Sequence, residues 1–168
     1  MSPSTCRPSS TRSCTPRPET GRLGLHVQAT TRPAALDGDP LLIERLVANL
    51  IDNAVQHNIP GGSVQITTRT SRDHAVLSVA STGPVIPPGQ VNQLFQPFQR
   101  LSPRYAYRGN GHHNGHGLGL SIVRAIATAH GADLTAHAPP GGGLSIDVAF
   151  LAPPGTRSPA TRQGLVDP

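Results

Sequence analysis

Three glycines, Gly115, Gly117 and Gly119, stand two apart immediately ahead of a stretch with helical periodicity. Glycines that open a helix suit an anion, because absent side chains let backbone N–H groups approach and the helix dipole adds positive potential there. Taken alone, the pattern more often marks a structural turn. A second candidate is the pair Asn49 and Asn53, four residues apart. On a helix they project about 40° from each other, at the edge of an apolar stripe. Asparagine is a mediocre helix former, so two in register need a reason. Two uses stay open: hydrogen bonds to neighbouring loops, or neutral carbonyl oxygens offered to Mg²⁺, which prefers hard oxygen ligands.

The loop ahead of the glycines holds His112, His113 and His116. They are close enough to bind a transition metal together, although incidental histidines in a solvated loop are the preferred interpretation. Cys6 and Cys14 match no metal spacing and no disulfide framework, which suggests free thiols in a reducing compartment.

These candidates need elements to position them. Residues 22–29 alternate, with Leu23, Leu25, Val27 and Ala29 on one side, and predict a half-buried strand. Asp39 followed by Pro40 predicts a helix start. The helix runs to His57, with Ile43, Leu46, Val47, Leu50 and Ala54 on its buried face. Residues 58–62, NIPGG, stop it. Two strands in a hairpin follow, over 64–69 and 75–79, then a loop, STGPVIPPGQ, in which Gly83 permits close approach of a ligand. A short helix over 89–94 ends near Phe95. A helix from Leu118 to His130 buries Leu120, Ile122, Val123, Ile126 and Ala127 and is capped by Gly131. Strands over 132–138 and 143–150 complete an α+β arrangement, helices layered on one face of a mixed, mostly antiparallel sheet.

At 168 residues the chain is long enough for one domain with a real core. Its ends are rich in Pro, Ser, Thr, Arg and Gly, so residues 1–21 are expected to be a disordered leader, 22–151 the folded domain and 152–168 a disordered tail. The net charge is +5, but the basic residues form no stripe with interleaved aromatics, so nucleic acid is not an expected partner. No apolar run reaches the roughly 18 residues of a membrane span, and no signal-peptide core is present. The expected place is the cytoplasm, without direct membrane insertion but with attachment to a membrane-bound sensor left open.

Four blocks stand in order: NLIDNAVQHN at 49–58, STGPVIP at 81–87, LFQPFQRL at 94–101 and GHGLGLSIVRAIATAHG at 115–131. Together they resemble the N, G1, F and G2 boxes of the ATP-binding catalytic domain of sensor histidine kinases, a GHKL-superfamily domain with the Bergerat fold, a two-layer α/β sandwich. The resemblance covers about residues 22–151.

It implies that ATP lies between the N-box helix and a lid over residues 101–114, with Phe95 and Phe98 as the lid's apolar anchor. It implies that Asn53 ligates Mg²⁺, that Asn49 stands where related ATPases place a catalytic glutamate, and that His57 borders the nucleotide. By the same resemblance Ser81, Gly83 and Ile86 belong to the base pocket. Phe98, Gly115, His116, Gly117, Leu118, Gly119 and Leu120 belong to the nucleotide site around the lid and its hinge. Phosphoryl transfer needs mainly positioning and charge neutralisation, and a metal ligand, backbone donors and a lid would supply most of that.

Three positions depart from the family. Ser81 stands where the G1 box usually has aspartate accepting the adenine amino proton; losing a charge-assisted bond of roughly 1.5–3 kcal/mol weakens binding about ten- to a hundredfold. Gln56 stands where a Lys or Arg commonly reaches a phosphate, with Arg100, Arg104 and Arg108 as candidate substitutes. None of the eight histidines carries the pattern of a phosphoacceptor site. The expected activity is therefore transfer of the γ-phosphoryl of ATP to a histidine on a separate dimerisation domain supplied in trans, with a response regulator downstream. The alternatives are a degenerate module acting through protein–protein contacts and an anti-sigma-type serine kinase.

Overall fold

A computed structural model describes residues 23–71, 73–98 and 117–153. In chain order these form β1 (His26–Thr31), α1 (Pro40–Gln56), β2 (Ser63–Ser71), β3 (His74–Ser81), a 3-10 helix (Pro88–Phe95), α2 (Gly119–Ala129), β4 (Asp133–His137) and β5 (Leu144–Leu151). The strands make one sheet in the order β1-β2-β3-β5-β4. β1 pairs parallel with β2, and the remaining pairings are antiparallel. The expected α+β, mixed sheet with helices on one face is thus the observed architecture.

Local chemistry sets the helix limits. Asp39 is extended (φ −69°, ψ 116°) and its carboxylate accepts from the backbone N–H of Leu41 at 2.8 Å and Leu42 at 3.3 Å, with Pro40 opening α1. α2 ends in a left-handed Gly131 (φ +59°), whose N–H donates to the Thr128 carbonyl while that of Ala132 donates to Ala127. This pair of reversed bonds satisfies carbonyls the helix would otherwise leave orphaned. His130 ties the two helices together. Its Nε2 accepts from the Asp39 N–H at 3.2 Å, and its Nδ1 lies 2.8 Å from the Ile126 carbonyl oxygen, a pairing made when Nδ1 is the donor.

α1 and α2 pack on each other, α1 over β3 and α2 over β4. Leu46, Leu50, Val64, Val123 and Val148 are buried most completely, each contributing roughly 1.5–3 kcal/mol of transfer free energy. Alternation gives β3 a helix-facing side of Ala75, Leu77, Val79 and Ser81.

The first strand departs from expectation at both ends of the prediction. It starts at His26 rather than 22, because Gly24 turns the chain in a left-handed conformation (φ +59°). It is also exposed along its whole length, Val27 by 47%, instead of half-buried. It is an edge strand that, unlike the other edge strand β4, lies beyond the cover of both helices, so alternation survives without burial.

Candidate functional site

The end of α1, the loop after β3 and the start of α2 converge at the carboxyl end of α1. Asn49 and Asn53 are both half-buried on α1. Asn49 splits its amide between two tasks: Nδ2 donates to the Arg45 carbonyl at 2.7 Å, and a Cβ added to Gly119 would meet Oδ1 at 3.4 Å. The Asn49 carbonyl therefore faces the first turn of α2. Asn53 makes no side-chain hydrogen bond among the described residues, so its amide oxygen remains available to a ligand. His57 closes α1, its N–H donating to the Asn53 carbonyl at 3.1 Å.

Across the same end, Gly83 abuts the helix terminus: a Cβ there would lie 2.9 Å from the His57 carbonyl oxygen. The missing side chain thus admits protein backbone. Ser81, on the helix-facing side of β3, sets its Oγ 3.5 Å from the Leu144 carbonyl, at the limit of a hydrogen bond. Ile86 is buried in the core. At the other side Gly117 is left-handed (φ +68°), Leu118 precedes α2 half-buried, Gly119 opens the helix and Leu120 is buried. Ser121 Oγ donates to the Leu118 carbonyl at 2.8 Å.

The expected anchor pair divides. Phe95 is 6% exposed and packs in the core, whereas Phe98 is 75% exposed and has a left-handed backbone (φ +63°). Phe98 is attached through its backbone, its N–H donating to the Gly117 carbonyl at 3.1 Å, so of the two rings Phe95 alone packs in the core among the described residues. A residue held at positive φ directs its side chain away from the course that alternation or helical spacing assumes. Gly115, His116, the 101–114 lid, the histidines at 112 and 113 and the arginines at 100, 104 and 108 lie outside the described residues.

Two features lie outside the residues expected to form the site. Asn58, 4% exposed, uses every polar atom of its amide: Nδ2 donates to the carbonyls of Ala54 at 3.0 Å and Ser63 at 3.1 Å, while Oδ1 accepts from the Ile59 N–H at 2.9 Å and the Thr82 hydroxyl at 2.7 Å. An asparagine just past a predicted helix end, ahead of a Pro-Gly-Gly turn, was the available signal. The second feature is the 139–143 turn, where Gly142 and Gly143 (φ +95° and +96°) fold against the backbone of Gly83 and Ser81. The Gly143 N–H donates to the Pro84 carbonyl at 3.0 Å. Three consecutive glycines marked this close approach.

With two glycine turns facing an asparagine-bearing helix, known proteins can be compared. Residues 38–154 match the family model of the histidine kinase-, DNA gyrase B- and HSP90-like ATPases. The chain belongs to that family. Its matched relatives include the sensor protein CutS of Streptomyces coelicolor, 42% identical over 126 residues, which are 74% of this chain and 30% of that protein. Sensor protein KdpD of Mycobacterium tuberculosis is 36% identical over 129 residues, 76% of this chain and 14% of its own length. Among solved structures, the mycobacterial sensor histidine kinase MprB superposes with a TM-score of 0.64 at 29% identity, covering 79% of this chain and 85% of that one. Within the family the chain corresponds to the ATP-binding catalytic domain of sensor histidine kinases, and it spans less than a third of these two sensor proteins. Among the described residues no helix is long and apolar enough to cross a membrane.

Proposed function

We propose that this ATPase-family domain is the phosphodonor half of a two-component sensor kinase. It would bind ATP with Mg²⁺ and present the γ-phosphoryl to a histidine on a dimerisation domain, from which it passes to a response regulator. The observation that carries the proposal is the Asn49 carbonyl against Gly119, which sets the asparagine face of α1 beside the glycine turn opening α2. Backbone N–H groups at a helix start favour phosphate oxygens, and Asn53, with its uncommitted amide, fits a hard cation at the phosphates' edge. Mg²⁺ would neutralise the charge of the phosphates there. His57, Ser81, Gly83 and Ile86 would border the base. Phe98, Gly117, Leu118, Gly119 and Leu120, with Gly115 and His116, would line the phosphate and lid side. The expected place of action is the cytoplasm, attached to a membrane-bound sensor.

Binding of a fluorescent ATP analogue with and without Mg²⁺ tests this. The domain should bind in a magnesium-dependent way, and Asn53→Ala should weaken binding at least about tenfold, the order expected for a lost ligand interaction. It should leave folding within about 0.5 kcal/mol, since alanine is the better helix former. No binding at millimolar nucleotide, or an unchanged affinity in the variant, would sink the proposal.

One observation favours a second reading, a module with a weakened nucleotide site that works by pairing with other kinases or regulators. Ser81 places a short neutral hydroxyl, already near the Leu144 carbonyl, on the helix-facing side of β3.

A further inference from the structure

We infer that Thr82 and Asn58 are positioning residues that set the Ser81–Gly83 end of the nucleotide site, an inference that rests on the ATP-site reading above. Thr82 is the first residue past the β3 ladder. Its N–H donates to the Ser63 carbonyl at 3.0 Å, its hydroxyl accepts from the Ser63 N–H at 2.7 Å and donates to Asn58 Oδ1 at 2.7 Å. Asn58 in turn is held by the last turn of α1 through Ala54 and by β2 through Ser63. One hydroxyl therefore joins the start of β2, the end of α1 and the loop carrying Gly83.

The Asn58 amide has a single orientation. Its Nδ2 faces two carbonyls and its Oδ1 faces an N–H and an O–H, so the amide cannot flip without leaving buried groups unpaired, and the Thr82 hydroxyl, whose proton also has the Ser63 carbonyl at 3.3 Å, makes its shorter bond to Asn58. Gly62 closes the back of the junction: a Cβ there would collide with both Asn58 Oδ1 and Thr82 Oγ1. The consequence reaches the site because Thr82 lies between Ser81 and Gly83, and Gly83 already abuts the His57 carbonyl. Loosening Thr82 lets both neighbours shift relative to α1, while Asn53 and Gly119 share no side-chain hydrogen bond with Thr82 or Asn58 among the described residues. A role confined to stability would alter how much protein is folded; a positioning role alters how well the folded protein binds the base.

The test uses Thr82→Val, which keeps the shape and removes the hydroxyl, with Thr82→Ser as rescue; Asn58→Ala removes more of the junction and risks unfolding. Calorimetric titration of the full chain with ATP, with and without Mg²⁺, separates affinity from the fraction of competent protein. Thr82→Val should weaken ATP binding about three- to tenfold, as the hydroxyl's partly exposed bonds to Ser63 and Asn58 are lost. Stoichiometry and the factor by which Mg²⁺ tightens binding should stay as in the unaltered chain, and Thr82→Ser should restore the affinity. A change of less than about twofold in Thr82→Val, a fall in stoichiometry at constant affinity, or loss of the magnesium factor each overturns the inference. Absence of ATP binding by the unaltered chain defeats the underlying site reading instead, a result plainly distinct from the others.

Discussion

The two sides of the α1 terminus are built differently. Around Thr82 and Gly83 the chain is cross-braced: a saturated buried amide, a hydroxyl bridge, and two left-handed glycines pressed against backbone. Around Gly117 and Gly119 the described residues supply fewer such links: one backbone bond from Phe98, the Ser121–Leu118 hydroxyl bond, and a half-buried asparagine pair of which Asn53 has no side-chain bond among them. Buried polar groups must be paired, so the first side has one geometry. On the second, the Asn53 amide has no such partner among the described residues. The proposed nucleotide site thus has a braced wall beside Gly83 and, among the described residues, a less braced one beside Gly119.

The comparison can be broken in several places. The largest effect should come from Phe95→Ala, which removes a buried ring from beneath the Gly117 side and should cost about 3–5 kcal/mol by chemical denaturation. A loss below about 1 kcal/mol would mean that the sparse side is not anchored by the core. Gly143→Ala attacks the braced side, forcing a side chain into a φ of +96° and against the Ser81 backbone. It should destabilise by about 2 kcal/mol or more, and unchanged melting would show the turn to be slack. Ser81→Asp introduces an acceptor carboxylate on the helix-facing side of β3. If the site is functional but weak, titration should show ATP affinity rising about tenfold or more, and no gain would mean that the base is held elsewhere. The smallest effect is expected for Phe98→Ala, whose ring is 75% exposed: stability should stay within about 0.5 kcal/mol, against the several lost at Phe95.

Elements specified by near neighbours were readable from the chain alone. Asp39–Pro40 starts α1, Gly131 ends α2, and the apolar spacing of Leu46, Leu50 and Ala54 or of Val123, Ile126 and Ala127 assigns the buried faces, because each signal acts within a turn or two. The motif blocks likewise named Asn49 and Gly119, which the fold sets beside each other, and Gly83, which it sets against His57.

What needed the fold was every choice between equal local options. Two phenylalanines three apart went separate ways, since only the backbone turn at Phe98 determines which ring meets the core. An alternating first strand stayed exposed because sheet order put it outside the helices. Asn58 reads as an ordinary helix stop until strand pairing carries Thr82, 24 residues later, onto its oxygen. By itself the sequence determined the elements and the identity of the groups offered at the site; the tertiary structure alone decided which of those groups are consumed by bracing and which remain free, because a hydrogen bond between distant residues exists only once the sheet has aligned them.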